Sequence, residues 1–447
     1  MRPESPDHSD VVIGGDACIG LVVVCGAGEE SRARARSRAQ FSRVRALTLA
    51  LVERLSDADA SAQSMADASP AKWHLAHTTW FFETFVLAEH SPGYRPYDAR
   101  FAYLFNSYYE AKGARLSRPL RGLLTRPSLD EILAYRRHVD GAIAAVLDTA
   151  SARTRALIEL GCHHEEQHQE LLLTDVLHLF SQNPLAPSLW PAKPETPRSA
   201  AGSIRWIEGR RGLVSIGQDG KGFAFDCEAP RHTTWLTPHA LASRLTTNGE
   251  WLSFIDGGGY TSARYWLSDG WEWVNRNSID APLHWRRDAS GAWACQFGLD
   301  GLAALDLNAP VQHVSLYEAD AFARWADARL PSEAEWESAA EFLNPGRANL
   351  LDGAGPVKAA SARGDAGLEQ MFGDVWEWTA SPFCAYPGFR PASGAIGEYN
   401  GKFMSGQFVL RGGSCATPRG HVRASYRNFF YPHQRWQFTG VRLARDI

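Results

Sequence analysis

The stretch CHHEEQHQELLLTDVLHL, residues 162–179, places histidines and carboxylates in a segment that otherwise has the pattern of a core helix. On a helix, His164 and His168 lie four residues apart, so their side chains project from one face and can reach the same metal ion. The leucines at 171–173 indicate that this helix is buried. Because buried imidazoles without partners cost free energy, the pattern predicts a metal site inside a helical domain.

A second source of histidine lies upstream, in SPAKWHLAHTTWFFETF, residues 69–85. This segment has an apolar helical pattern and carries His74 and His77, either of which could complete a three-histidine site. The spacing alone leaves two choices open. One is between His74 and His77, and the other is between His163 and His164.

Two carboxylates close to the histidine pair have different expected positions. Glu170 lies two residues past His168, about 200° around a helix of 3.6 residues per turn, so it cannot join the same coordination shell. Asp175 lies seven residues past His168 and therefore returns to the ligand face, where it could accept a hydrogen bond from an imidazole N–H. A solvated helix carboxylate is the alternative interpretation of Asp175.

The first half of the chain has the pattern of a four-helix bundle. Apolar residues recur at helical spacing in four segments, 41–56, 71–89, 128–149 and 152–181. Ser128 and Glu131 form a Ser-x-x-Glu capping box, which predicts the start of the third helix. The prolines of NPLAPSLWPAKPETP then predict a linker at the end of the bundle.

The second half changes to short strands, turns and a high density of glycine and tryptophan. One amphipathic helix, SLYEADAFARWADA at 315–328, interrupts this pattern. We therefore expect a mixed domain with much irregular structure. The expected strand-and-turn segments are GLVSIG, FAFDCEAPRH, GGYTSARYWLSDGWEWV, VLRGGSC and TGVRLARD.

These patterns divide the chain into four parts. We expect an extension without ordered structure at 1–36, a four-helix bundle at 37–183, a proline-rich linker at 184–200 and the mixed domain at 201–447. The extension has an apolar stretch followed by a basic one, which is the reverse of a secretory signal. It is expected to carry no chemistry.

Composition excludes several classes of protein. The 447 residues are 45% hydrophobic and 21% charged with a formal net charge of -4, so neither a nucleic-acid partner nor a disordered chain is indicated. Seven scattered cysteines give no disulfide framework and favour a reducing, cytoplasmic location. Because no apolar run approaches about 20 residues, no membrane association is expected. Composition leaves open whether the protein is a monomer or a homo-oligomer.

Several motifs together resemble one known family. The stretch 69–85, FNSYYEAKG at 105–113 and the run from His164 to Glu170 are similar to the N-terminal DinB-like bundle of ergothioneine-biosynthetic sulfoxide synthases. The second half resembles their formylglycine-generating-enzyme-like, or C-type-lectin-like, domain. The resemblance covers about residues 40 to 447 and implies an α+β multidomain fold. The motifs of the second half are RLPSEAEWESAA, MFGDVWEWTASPF, VLRGGSC and TGVRLA.

The resemblance implies a non-haem iron(II) enzyme. Such an enzyme joins the sulfur of cysteine to the imidazole C2 of hercynine (Nα-trimethylhistidine) with O2, giving a sulfoxide. The implied iron ligands are His77, His164 and His168, whereas His74 falls outside the ligand position. Three histidines on an octahedral ion would leave three positions for the thiolate, the substrate imidazole and O2.

The resemblance also implies a set of substrate-binding residues. Phe429 would face the quaternary ammonium of hercynine, which hydrogen bonds cannot recognise, and Asn428 and Gln167 would bind its polar groups. Arg118 and Arg121 would bind the carboxylate of cysteine, because arginine presents forked donors to an anion. From the residues alone, Asn428 could instead cap a turn and the arginines could belong to a solvated loop.

Three further positions bear on the reaction. Tyr108 and Tyr109 resemble active-site tyrosines of the cysteine-using branch, and one of them would deliver a proton that steers the reaction towards sulfoxide. A packing role for this pair is the alternative interpretation. Relatives that use γ-glutamylcysteine carry an acidic residue where this chain has Phe430, so the resemblance implies free cysteine as the donor.

Other functions remain compatible with parts of the sequence. A selenoneine synthase with a selenium donor could use the same iron site. A DinB-like bundle alone would suggest a metal-dependent thiol transferase with zinc, although the second domain argues against it. A formylglycine-generating activity would need a reactive cysteine pair, for which only Cys384 and Cys415 are near. A binding module would leave the histidines without a purpose.

Overall fold

The computed structural model describes residues 27–192, 201–364 and 366–447. The four predicted helices are present and form the bundle. They are α1 (Ala27–Val52), α3 (Ala71–Phe82), α6 (Leu129–Thr149) and α7 (Ala152–Ser181). Helix α1 packs against α7, and α3 packs against both α6 and α7. The helix with the His164 and His168 pair therefore lies between α1 and α3, inside the bundle core.

The predicted capping box starts α6. The Ser128 hydroxyl accepts the backbone N–H of Glu131 at 3.3 Å, and the Glu131 carboxylate accepts the backbone N–H of Ser128 at 2.7 Å. These two bonds satisfy donors that the first turn of a helix otherwise leaves without partners.

Short elements connect the long helices. A π-helical turn, Glu83–Leu87, extends α3, and a 3₁₀ turn, Arg118–Leu123, carries both arginines of interest. The remaining short helices are α2 (Asp57–Ser61), α4 (Ala88–His90) and α5 (Phe101–Phe105). None of the helices in the described part of the chain combines the length and apolar character needed to cross a bilayer.

The second half contains small sheets surrounded by loops. The strands are β1 (Trp206–Glu208), β2 (Gly212–Ile216), β3 (His232–Leu236), β4 (His239–Ala242), β5 (Trp285–Arg287), β6 (Trp293–Gly298), β7 (Gly301–Ala304), β8 (Trp376–Pro382), β9 (Phe408–Arg411), β10 (Asn428–Phe430), β11 (Thr439–Gly440) and β12 (Ala444–Asp446). The central sheet has the strand order β10-β9-β8-β11, and the other sheets have the orders β1-β4-β12, β2-β3 and β5-β6-β7.

The prediction of a single helix in this half was wrong. Besides the expected α10 (Leu316–Trp325), the structure contains α8 (Asn248–Asp256), α9 (Ser268–Arg276) and α11 (Glu333–Ala340). Helix α9 was missed because Trp271 and Trp273 alternate with polar residues and so mimic a strand. The helix instead buries Gly270 and Val274, which lie one turn apart.

The predicted extension also needs correction. Helix α1 begins at Ala27, so the part of residues 1–36 that the structure describes is helical. Alternating arginine and alanine favour a helix. In addition, Glu30 pairs with Arg155 of α7 at 2.7 Å. Residues 1–26 of the extension, and 193–200 of the proposed linker, lie outside the described residues.

Glu170 connects the two halves of the molecule. Its carboxylate accepts hydrogen bonds from the indole N–H of Trp376 at 2.8 Å, from the Thr417 hydroxyl at 2.6 Å and from the Ser414 hydroxyl. Burial raises the pKa of this carboxyl group. As its helical position predicted, Glu170 points away from the histidines and binds the second half of the chain.

Candidate metal centre

His77, His164 and His168 converge on one point. His77 comes from α3 and the other two from α7, and their ring centroids lie 4.7–4.9 Å apart. One ligand atom from each ring lies within 4.8 Å of the others. Small ring rotations would bring these atoms to the roughly 3 Å separation of neighbouring ligands on one metal ion. The structure thus brings together the three predicted ligands.

The ring of His77 is fixed from three sides. It stacks between Trp73, at 4.6 Å and 12°, and Trp80, at 5.7 Å and 16°. Its Nδ1–H donates to the Phe105 carbonyl at 2.6 Å. This bond assigns the proton to Nδ1 and leaves the Nε2 lone pair available to a metal.

A chain of hydrogen bonds orients His168. Asp175 Oδ2 lies 3.1 Å from Nε2 of His74, and Nδ1 of His74 lies 2.9 Å from Nδ1 of His168. If Asp175 accepts the Nε2–H of His74, then Nδ1 of His74 accepts the Nδ1–H of His168, and Nε2 of His168 keeps a free lone pair. Asp175 is therefore an acceptor from an imidazole, but that imidazole belongs to His74. His74 supports the three-histidine group and is not part of it.

The protonation states suit a metal. Burial lowers the pKa of His164 to about 4, and burial with neighbouring imidazoles holds the pKa values of His77 and His168 well below the usual range. All three rings are consequently neutral near pH 7. Within the described residues, the buried Nδ1 of His164 has no hydrogen-bond partner. Three neutral imidazoles, two of them with a free Nε2 lone pair, fit a divalent transition-metal ion such as iron(II) or zinc.

We predict that His74→Ala weakens metal binding without abolishing it. The substitution removes the acceptor for Nδ1–H of His168, and loss of such an outer partner typically costs about 10–100-fold in metal affinity. Competition with a chelator measures the change. Asp175→Asn should act in the same direction, because its amide can also donate towards His74. Unchanged affinity in both variants would contradict the role assigned to the chain of hydrogen bonds.

A cavity of about 470 Å³ lies between the two halves of the chain, with His77 and His168 in its wall. This volume falls in the usual range of small-molecule sites, about 300–1,000 Å³. All the other predicted site residues line the same cavity: Tyr108, Tyr109, Arg118, Arg121, Gln167, Asn428 and Phe429. His164 lies behind the wall. Phe430 also lines the cavity.

The two tyrosines occupy different parts of the cavity wall. The ring of Tyr109 lies 5.8 Å from Trp80 and 6.3 Å from Phe81, and these rings pack on His77 and His164 respectively. Burial raises the pKa of Tyr109 far above neutral, so its hydroxyl keeps its proton. Tyr108 instead accepts a hydrogen bond from Arg118. The rings of Trp80 and Phe81 thus separate Tyr109 from the histidines, whereas Tyr108 contacts Arg118.

The two arginines have no carboxylate partner within the described part of the chain. Arg121 is buried, lies 3.3 Å above the ring of Trp73 and donates to Ser69 at 2.8 Å. Burial and the neighbouring Arg118 lower its pKa to about 9. A buried guanidinium without a counter-ion is costly, so this part of the cavity favours an anion.

Gln167, Asn428 and Phe429 lie on the wall shared by both halves. Gln167 donates to the Tyr426 hydroxyl at 2.8 Å. Phe429 stacks on Phe383 at 4.1 Å and 15°. Tyr426 was missed by sequence reasoning because its contact with Gln167 joins residues 259 positions apart. Its place in the motif with Asn428 and Phe429 was the available signal.

Comparisons with known proteins match both halves. Residues 40–172 match the DinB superfamily, and residues 193–447 match the Sulfatase-modifying factor enzyme 1-like domain family. A hercynine oxygenase of Mycobacterium tuberculosis is 33% identical over 431 residues, covering 91% of this chain and 97% of its own length. The chain belongs to the hercynine oxygenase family. It is therefore an oxidoreductase with a DinB-like bundle and a C-type-lectin-like domain.

Other relatives agree with this assignment. The hercynine oxygenase of Mycolicibacterium smegmatis is 32% identical and covers 91% of this chain and 98% of its own length. A formylglycine-generating enzyme of Streptomyces coelicolor is 30% identical over 310 residues, but the match covers only 57% of this chain. The hercynine oxygenases thus match along nearly the whole chain, including the bundle that carries the histidines.

Proposed function

We propose that this enzyme uses iron(II) and O2 to join the sulfur of cysteine to C2 of hercynine, giving hercynylcysteine sulfoxide in ergothioneine biosynthesis. One O2 balances the reaction: hercynine loses a C–H, cysteine loses an S–H, one oxygen atom enters the sulfoxide and the other leaves as water. The observation that carries the proposal is the convergence of three neutral imidazoles beside a cavity that also exposes unpaired arginines. Mass spectrometry of the product tests it.

The three histidines would hold the iron through neutral nitrogens. Such a ligand set adds no negative charge, so an anionic thiolate can bind to the same ion without like-charge repulsion. When bound, iron(II) supplies the electrons that activate O2 and a point at which both substrates meet. The protein fixes the ligand geometry through the aromatic stack around His77 and the hydrogen bonds to His168.

Hercynine would bind on the wall shared by both domains. Its trimethylammonium group has no N–H, so an aromatic face such as that of Phe429 is the appropriate contact. Gln167 is oriented by its bond to Tyr426 at 2.8 Å and can present its amide oxygen to the substrate. Asn428, next to Phe429 on β10, would bind the polar groups of the same molecule.

Cysteine would bind with its carboxylate at Arg118 and Arg121. Both side chains line the cavity, and their buried Nε–H groups have no acceptor among the described residues. An incoming carboxylate would accept from the guanidinium groups and remove the cost of burying an unpaired charge. The sulfur end would then extend towards the histidines.

The tyrosines would control protons near the reacting sulfur. Tyr109 keeps its proton at neutral pH because burial raises its pKa. A positioned hydroxyl can donate a proton during oxygen reduction. This proton would favour formation of the sulfoxide over simple oxidation of the thiol. Tyr108, held by Arg118, would align the bound cysteine.

A reducing, cytoplasmic location belongs to the same proposal. The five cysteines in the described residues, Cys162, Cys227, Cys295, Cys384 and Cys415, are all free. Cys415 is buried, and burial raises its pKa far above neutral, so it is a poor nucleophile. Cys384 and Cys415 therefore give little support to a formylglycine-generating activity.

We predict that free cysteine is preferred to γ-glutamylcysteine as the sulfur donor. Phe430 lines the cavity and packs against Trp436 at 6.1 Å, so it offers no acceptor for the ammonium of a γ-glutamyl group. Leaving a charged group without a partner costs at least about 1–3 kcal/mol, which corresponds to roughly a 5–150-fold difference in kcat/KM. Steady-state kinetics with both thiols measures the ratio.

A matched variant sharpens this comparison. Phe430→Asp should raise kcat/KM for γ-glutamylcysteine relative to cysteine, whereas Arg121→Ala should raise the KM for cysteine more than that for hercynine. A preference for γ-glutamylcysteine in the unmodified enzyme would overturn the donor assignment. Equal values for both thiols would show that Phe430 does not face the donor.

A further inference from the structure

A second group of ligand-type side chains lies outside the cavity. His163 and Glu166 come from α7, and His421 comes from the loop between β9 and β10. Nδ1 of His163 lies 3.0 Å from Nδ1 of His421 and 3.0 Å from Glu166 Oε2, and Nδ1 of His421 lies 3.2 Å from the same oxygen. The three residues are 7%, 1% and 1% exposed. They form a small buried triangle between the two domains.

Hydrogen bonds alone cannot satisfy this triangle. Each Nδ1 carries either a proton or a lone pair, and a proton can be well aligned with only one of its two neighbours. If both histidines donate to Glu166, two N–H groups face each other at 3.0 Å. If one histidine donates to the other, the accepting lone pair faces a carboxylate oxygen. With Glu166 ionised beside Arg43, every arrangement of protons on the two histidines leaves one edge of the triangle repulsive.

A cation resolves the conflict because all three lone pairs can then point inward. Neighbouring ligands on an octahedral ion with bonds of about 2.1 Å lie about 3.0 Å apart, close to the observed edges of the triangle. We propose that His163, Glu166 and His421 hold a second divalent first-row transition-metal ion in this enzyme, bound by two imidazoles and one carboxylate. This inference does not depend on the identity of the substrates.

The surroundings resemble the outer shell of a metal site. Arg43 Nη2 donates to the other carboxylate oxygen of Glu166 at 3.1 Å, and Phe223 stacks on His163 at 3.8 Å. Nε2 of His421 lies 3.0 Å from the Tyr426 hydroxyl. Metal-binding carboxylates and histidines commonly have such partners on their non-coordinating atoms, which fix their orientation. Arg423 is also near, but its charge is balanced by Glu228 at 2.7 Å.

The second ion would be connected to the cavity by hydrogen bonds. Coordination through Nδ1 requires the proton of His421 to reside on Nε2, which then donates to Tyr426. Tyr426 is also the partner of Gln167, which lines the cavity. The ion would thus fix the direction of a hydrogen-bond chain that orients Gln167, and it would clamp α7 to the second domain.

Metal counting on matched variants tests the proposal. Chelator-stripped full-length enzyme is loaded with Zn²⁺, a redox-inert probe, and bound zinc is measured after gel filtration. We expect two equivalents for the unmodified chain, one for Glu166→Gln, one for His163→Gln, one for His77→Ala and none for Glu166→Gln combined with His77→Ala. Glu159→Gln, on the same helix, is the control and should keep two equivalents.

The outcomes separate this proposal from the three-histidine site. A single equivalent in the unmodified chain that is lost in His77→Ala would show that the second triangle is a hydrogen-bonded cluster only. Two equivalents retained in both Glu166→Gln and His163→Gln would place the second ion elsewhere. A single equivalent on the unmodified chain overturns the proposal without any variant, and the two separate substitutions at Glu166 and His163 keep it testable if one of them fails to fold.

Discussion

Replacing His164 with alanine is expected to remove the iron proposed for the three-histidine site and to abolish the proposed formation of the C–S bond. Without His164, the ion would keep only two imidazole ligands, one from α7 and one from α3. The site would then lose most of its affinity for the metal. The loss should exceed the roughly 10–100-fold expected for an outer partner such as His74. Iron is counted in protein that also carries Glu166→Gln, so that an ion held by the triangle of His163, Glu166 and His421 does not add to the count.

His178→Ala provides the matched control. His178 lies on the same helix, is half-buried and contacts Ser64 at 2.7 Å, away from the three histidines. It should keep its iron and its activity, with only a small change in melting temperature. Stoichiometric iron in purified His164→Ala would refute the assignment of this residue as a ligand.

Changing Tyr109 to phenylalanine is expected to divert the oxidation from the sulfoxide towards cysteine sulfinate. The substitution keeps the ring that packs near Trp80 and Phe81 but removes the proton donor. Because Tyr109 is the tyrosine nearer to the histidines, its loss should change the product ratio more than Tyr108→Phe. Loss of one positioned general acid typically costs about 10²–10⁴-fold in the step that it serves. Quantitative mass spectrometry of both products measures the ratio.

Tyr103→Phe is the control for this prediction, since Tyr103 is 48% exposed and does not line the cavity. It should leave the ratio of sulfoxide to sulfinate unchanged. The KM for hercynine should also stay close to its original value in Tyr109→Phe. If the double variant of Tyr108 and Tyr109 gave the original ratio, neither tyrosine would have a part in proton delivery.

Local patterns were sufficient to predict the bundle and to favour two of the three histidines of the candidate metal centre. The apolar spacing gave all four helices, and Ser128 with Glu131 fixed the start of α6, because these signals depend on neighbours within one or two turns. The same helical geometry favoured the pair His164 and His168, although spacing alone did not exclude His163. Each of these inferences uses contacts that the chain makes with itself over a few residues.

The choices that stayed open depend on distant contacts. His163 turns from the bundle core towards His421, 258 residues away, and spacing within α7 contains no information on that partner. Spacing left His74 and His77 as equal candidates, and the place of Asp175 across the bundle assigns His74 to the outer position. Likewise, the alternation of Trp271 and Trp273 with polar residues favoured a strand. The segment is helical because both tryptophans pack against the core of the second domain in that conformation.

The most direct test of the proposed activity is a single-turnover reaction with labelled oxygen. Chelator-stripped enzyme is loaded anaerobically with iron(II), supplied with hercynine and cysteine, and then exposed to ¹⁸O₂, and the product is analysed by mass spectrometry. We expect a hercynine–cysteine conjugate with one ¹⁸O atom in its sulfoxide, formed by the unmodified enzyme and not by His164→Ala. Oxidised cysteine with unchanged hercynine, or a conjugate formed equally by His164→Ala, would contradict it.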